Sequence, residues 1–242
     1  MKNVKDIKSI ISFLFENNIL SKEQRDNLLN GENLTIEQLI DVLNEMNITP
    51  EQIINVISNN VNQNEPNNLT FLYKLDVVQN LNIEGLVTFF ENLPEIEKNI
   101  HNINNLFASC IKELSFEQRL ILFYSLNGSD RTYLNLSYIG INQNDVEKLN
   151  LSERLNLFFV FSKHEITFAN FQQIFSQKDM NNMNIDDIHF VYLALNKNDQ
   201  KEFKSNLSFM NKIRLSRIES KYKIKENNQM IKNRPQQQVQ IK

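Results

Sequence analysis

Leu149-Asn150-Leu151-Ser152-Glu153-Arg154-Leu155 decides the fold, because the chain says nearly the same thing five times. The other copies are Leu34-Thr35-Ile36-Glu37-Gln38-Leu39, Leu81-Asn82-Ile83-Glu84-Gly85-Leu86, Leu114-Ser115-Phe116-Glu117-Gln118-Arg119-Leu120 and Met183-Asn184-Ile185-Asp186-Asp187-Ile188. From one first residue to the next the steps are 47, 33, 35 and 34 residues. Each copy places Thr, Asn or Ser second, where a side-chain oxygen can accept from the unpaired amides of a helix start. An acid comes next, in the first turn, at the positive end of the helix dipole. The leading Leu or Met is set to close over that turn.

Each copy leads into residues that are apolar at helical spacing: Leu86, Phe89, Phe90 and Leu93; Leu120, Phe123, Tyr124 and Leu126; Leu155, Phe158, Phe159 and Phe161; Ile188, Val191, Tyr192 and Leu195. Stop signals come next, at Pro94, Asn127-Gly128, Ser162-Lys163 and Asn196-Lys197-Asn198. A second, shorter helix is expected to complete each unit, through Phe168, Phe171, Ile174 and Phe175, or Phe203, Leu207, Phe209 and Met210. Val77-Val78 and Phe158–Phe161 have strand-like composition, but their flanks favour helix. Two-helix units of about 34 residues cannot bury their apolar faces alone and stack on one another. The expectation is an all-α protein of stacked two-helix repeats, armadillo-like or α-solenoid, with a small N-terminal helical module.

Composition marks the boundaries. Residues 59–68 hold almost nothing to bury and include Pro66, so they read as a linker between a module at 1–58 and a repeat domain at 69–226, with a disordered basic tail at 227–242. The 242 residues include only four glycines, never closely spaced, which excludes a dinucleotide fingerprint, a P-loop and a nucleophile elbow. The single Cys110 excludes an intramolecular disulfide and a cysteine-based zinc site, and suits a reducing compartment. Ile7–Phe15 is too short and too polar for a membrane span, so a cytoplasmic protein is expected.

Charge is unevenly spread. Residues 201–242 carry eleven bases and three acids, a balance of +8, while residues 1–200 carry −11. Arg214, Arg217 and Lys221 fall three and four apart and share one helix face, with Lys223 and Lys225 close by. These five are the expected partner-binding residues. Arg214 and Arg217 are favoured for their two-pronged hydrogen bonding to carboxylates. The expected partner is a protein with an acidic surface, and the same field would attract the acidic body of a second copy. Contact with a membrane would be peripheral at most. Nucleic acid is disfavoured by the acidic remainder and by the absence of any zinc-finger or RRM spacing.

For catalysis the residues offer little. His101, His164 and His189 are the only histidines, and neither His164-Glu165 nor Asp186-Asp187-x-His189 has a metal-ligand spacing. No cofactor, metal or enzymatic activity is expected. Two other readings stay open: a regulatory domain holding anionic lipid or nucleic acid through the basic end, and an enzyme using His164 or His189.

Asp186-Asp187-Ile188-His189-Phe190, with Phe203-Lys204-Ser205-Asn206-Leu207-Ser208 after it, resembles the C-terminal region of the flagellar motor switch proteins of the FliG type, and Ile213-Arg214-Leu215-Ser216-Arg217-Ile218-Glu219 is similar to a further segment of that family. Between Met210 and Ile213 the family carries a complete helix that this chain lacks. Only Lys178 and Asp179 stand where its torque-bearing helix carries several charges. The resemblance implies a diverged rotor-like protein of armadillo-like helices, assembling into a ring or docking on one, with no chemistry of its own.

Overall fold

A computed structural model describes residues 4–30, 34–62 and 69–232. Every regular element among them is helical. Helix starts fall on the five look-alike stretches, as the local chemistry requires: Thr35, Asn82, Ser115, Asn150 and Asn184 are all N-caps. Their side-chain oxygens accept from the backbone amide three residues on, at 2.8 Å for Asn82 and Asn184, 3.0 Å for Asn150 and 3.2 Å for Thr35 and Ser115. Gln38, Gln118 and Glu153 reach back to the cap amides and complete capping boxes.

The described residues pack as two compact units, divided between Asn142 and Gln143. Composition alone divides the chain at 59–68. Helix runs on to Asn62 there, and residues 63–68 lie outside the described residues. Of the tail predicted at 227–242, residues 227–232 continue the last helix and 233–242 lie outside the described residues.

In the first unit the helices are α1 (Val4–Glu16), α2 (Lys22–Asn30), α3 (Ile36–Asn44), α4 (Pro50–Asn62), α5 (Asp76–Gln79), α6 (Ile83–Glu91), α7 (Ile100–Phe107), α8 (Phe116–Ser125) and α9 (Tyr133–Tyr138), with 3₁₀ turns at Leu69–Lys74 and Glu95–Glu97. Leu39, Val78, Phe90, Phe107, Leu122 and Phe123 form its dry interior. Two helices end in the same left-handed device. At α1, Asn18 takes φ 58°, and Ile19 donates to the Leu14 carbonyl. At α9, Gly140 takes φ 90°, and Ile141 donates to the Leu136 carbonyl. Gly140 is constrained twice, because a Cβ there would lie 3.2 Å from Arg119 Nη1, which donates to the Gly140 carbonyl at 2.9 Å.

The second unit holds α10 (Gln143–Lys148), α11 (Leu151–Val160), α12 (Phe168–Ile174), α13 (Gln177–Asn182), α14 (Ile185–Ala194), α15 (Lys197–Asn206) and α16 (Phe209–Lys232). Its core is aromatic. Phe158 meets Phe171 edge-on at 5.5 Å, Phe171 stacks on Phe175 at 4.4 Å, and Phe203 closes on Phe171 at 5.3 Å. Arg154 ties α11 to α13 by donating to Asp179 at 2.9 Å and, through Nε, to the Leu149 carbonyl at 3.1 Å.

Where the sequence predicts two helices per copy, the last three copies each have three in chain order: α8, α9, α10; α11, α12, α13; α14, α15, α16. The link into the second helix repeats as well. The carbonyl of an acid accepts from the amide two residues on and from an Asn Nδ2 five residues on: Glu97 from Asn99 and Asn102, Asp130 from Thr132 and Asn135, Glu165 from Thr167 and Asn170. These turns are 33 and 35 residues apart, in step with the helix starts. The last copy lacks the turn, and Asn196 caps α15 directly.

Candidate interaction surface

The basic residues singled out by spacing lie on α16. Ser208 starts that helix: its hydroxyl accepts from the Asn211 amide at 3.3 Å and its carbonyl from Lys212 at 2.9 Å. This start sets the phase. Asn211 and Leu215 turn inward, and α16 packs against α14. Met210, Arg214, Arg217 and Lys221, spaced four, three and four, are all exposed and form one stripe along the outer face. No described acid forms an ion pair with Arg214, Arg217 or Lys221. Lys223 and Lys225 belong to the same helix, and their side chains lie outside the described residues.

Beneath the stripe the charges are matched. Lys204 of α15 pairs with Glu219 at 2.7 Å, and its ammonium stands 6.0 Å from the Tyr192 ring. Burial, with the Glu219 carboxylate accepting from the phenol, pushes the Tyr192 hydroxyl up to about 12. Glu219 is thereby occupied, and the outer basic groups keep their positive field.

Sequence periodicity puts Phe209 and Met210 in an apolar helix interior, and the structure corrects this. Leu207 ends one helix, Ser208 opens the next, and the first two residues of α16 point outward, 75% and 56% exposed. On α14, Phe190 and Leu193 are 62% and 58% exposed. The second unit thus offers water four large apolar side chains on two helices packed together, an unusual outlay for a surface without a partner. The signal available in the sequence is the polar pair around Leu207 that breaks the helix phase.

In the first unit a groove of about 600 Å³ runs between α4 and α6. Ile54, Leu81 and Phe89 supply apolar lining, and Glu51 and Glu84 stand exposed along it. Hydrogen bonds from its own backbone amide and from the Thr49 hydroxyl hold the Glu51 carboxyl below the usual carboxylate range, so it stays ionised. Sequence alone does not show this groove, because its two walls lie about thirty residues apart.

His101 and His164 are exposed and His189 is buried in α14. Glu165 is engaged by Asn170 Nδ2 at 2.7 Å and Asp187 by the Asn184 amide group at 2.7 Å, while Asp186 is exposed. Among the described residues, no three His, Cys, Asp or Glu side chains are grouped to hold a metal ion. Burial, reinforced by the nearby Glu113 carboxylate, pushes the half-buried Cys110 thiol up, away from the reactive thiolate. No described helix is long and apolar enough to cross a membrane. Compared with known proteins, the chain matches no protein family, no curated protein and no solved structure.

Proposed function

We propose that the chain is a non-enzymatic scaffold that works through protein-protein contacts, its second unit docking on an acidic partner through the outer face of α16. One observation carries this reading: an exposed methionine leads three exposed, unmatched cations on a single helical stripe, with Phe209 exposed at the start of the same helix and Phe190 and Leu193 exposed on α14, which packs against it. Interfaces of this kind bury apolar anchors at the centre and use charge at the rim for steering and register. The regular spacing of caps and turns supports an armadillo-like stack of helical repeats as the frame.

The test replaces Arg214, Arg217, Lys221, Lys223 and Lys225 with glutamate. Partner recovery in a pull-down falls below a tenth of wild type while the melting temperature holds. Unchanged recovery refutes the assignment. For lineage, the proposal is a diverged relative of the motor switch proteins, on the strength of Asp186–Phe190, Phe203–Ser208 and Ile213–Glu219, and copurification with flagellar rotor components is its test.

The exposed Phe209 and Met210 beside cations favour one second reading, peripheral docking on an anionic lipid surface, where aromatic and aliphatic tips enter the interface and bases meet headgroups. Sedimentation with phosphatidylserine vesicles over a salt series separates the two. Vesicle binding that weakens steeply with salt and is lost in Phe209→Ser/Met210→Ser supports the lipid reading.

A further inference from the structure

The proposed function leaves its acidic partner unnamed, and the chain itself carries a surface of the required chemistry. Residues 1–142 hold ten bases and eighteen acids, a net −8, whereas residues 143–242 hold sixteen bases and eleven acids, a net +5. The two compact units therefore have opposite sign. The groove between α4 and α6 falls in the acidic unit, with two exposed carboxylates along apolar lining. The stripe on α16 falls in the basic unit, with a methionine leading three cations.

We infer that the α4–α6 groove of one copy receives the outer face of α16 of a second copy, Met210 seating on the half-buried Ile54 and Leu81 while Arg214 and Arg217 meet Glu51 and Glu84. This rests on the reading of α16 as an interaction surface and names its occupant. The fit is helix-in-groove recognition, with apolar contact giving affinity and charge setting register. The carboxylates that would meet the cations are exposed, so screening by salt weakens the association. The two surfaces differ, so the contact is head-to-tail, and each bound copy still offers a free groove or a free helix.

The experiment uses the full chain in sedimentation equilibrium at low and high salt. Wild type shows a weight-average mass that rises with concentration at low salt and returns to the monomer at high salt. Glu51→Lys/Glu84→Lys and Arg214→Glu/Arg217→Glu/Lys221→Glu each weaken association at least tenfold. An equimolar mixture of the two variants associates again, because each reversed surface meets its complement. Thr88→Trp, which fills the groove without changing charge, also weakens association, and circular dichroism reports that each variant keeps its helix. A wild type that stays monomeric throughout, or association unaffected by the groove variants, overturns the inference. If the α16 variant nevertheless loses a different protein in the pull-down, the α16 reading stands and only the choice of a second copy falls.

Discussion

At Glu97–Asn102 the repeated turn is sealed from water, whereas at Glu165–Asn170 the same turn is half open to it. Glu97 and Asn102 are 3% and 1% exposed, and Tyr73 from the preceding 3₁₀ turn completes a buried set. Asn102 Nδ2 donates to the Glu97 carbonyl and carboxylate, both at 2.8 Å, and lies 3.3 Å from Tyr73 Oη. Burial, aided by the Glu97 carboxylate beside it, drives the Tyr73 phenol far above its ordinary range, so it remains a donor. At the later turn, Asn170 makes the equivalent pair of bonds to Glu165, at 2.9 and 2.7 Å, while the dry interior nearby is built from phenylalanine. One local design thus serves two environments. Geometry comes from six residues of sequence, but its energetic weight comes from how much water is excluded.

That contrast can be broken in order of size. Phe171→Ala removes the ring shared by Phe158, Phe175 and Phe203, and costs the second unit about 3–5 kcal/mol, read by hydrogen exchange of amides in residues 143–232. Asn102→Ala leaves the Glu97 carboxylate and the Tyr73 hydroxyl short of a buried partner, and costs the first unit about 3 kcal/mol by the same measurement. Asn170→Ala, which deletes matching bonds at a wetter site, costs only about 1 kcal/mol. Equal losses at 102 and 170 would show that water exclusion is not what separates the two turns.

The smallest effect is one of pH. Burial alone would raise the Asp179 carboxyl, but hydrogen bonds from the Ser176 hydroxyl and amide, together with Arg154, outweigh it and hold the group below its ordinary range. A carboxyl depressed in the folded state contributes stability that is complete above the unfolded value of about 3.9 and is lost as pH falls through the folded one. Urea midpoints of the wild type therefore decline on acidification below about pH 4. Asp179→Asn starts lower at neutral pH and declines less.

Much of this is legible in the sequence. The five helix starts are, because a cap is a contract among four neighbouring residues and needs nothing distant. The acid–x–cap–x–x–Asn turn is equally readable at 97, 130 and 165, in register with the starts. The third helices α10 and α13 are not: each has six residues, too few to display a helical period. Of the surface, the stripe Arg214, Arg217 and Lys221 can be read from spacing. The outward turn of Phe209 and Met210 is readable only through the polar pair Asn206 and Ser208, because it depends on Ser208 resetting the phase. The acidic groove needs the approach of α4 to α6, which no local pattern encodes.

The tie between Arg119 and Gly140 has an evolutionary corollary. The guanidinium occupies the volume that any larger residue at 140 would claim, and its bond to that carbonyl holds the reversed backbone in place. A descendant that gives up the arginine loses the clasp and gains the room, leaving the left-handed angle as the sole restraint, which asparagine tolerates as Asn18 already does at the end of α1. Glycine at 140 is therefore expected wherever the arginine is kept, and asparagine becomes admissible only where it is lost.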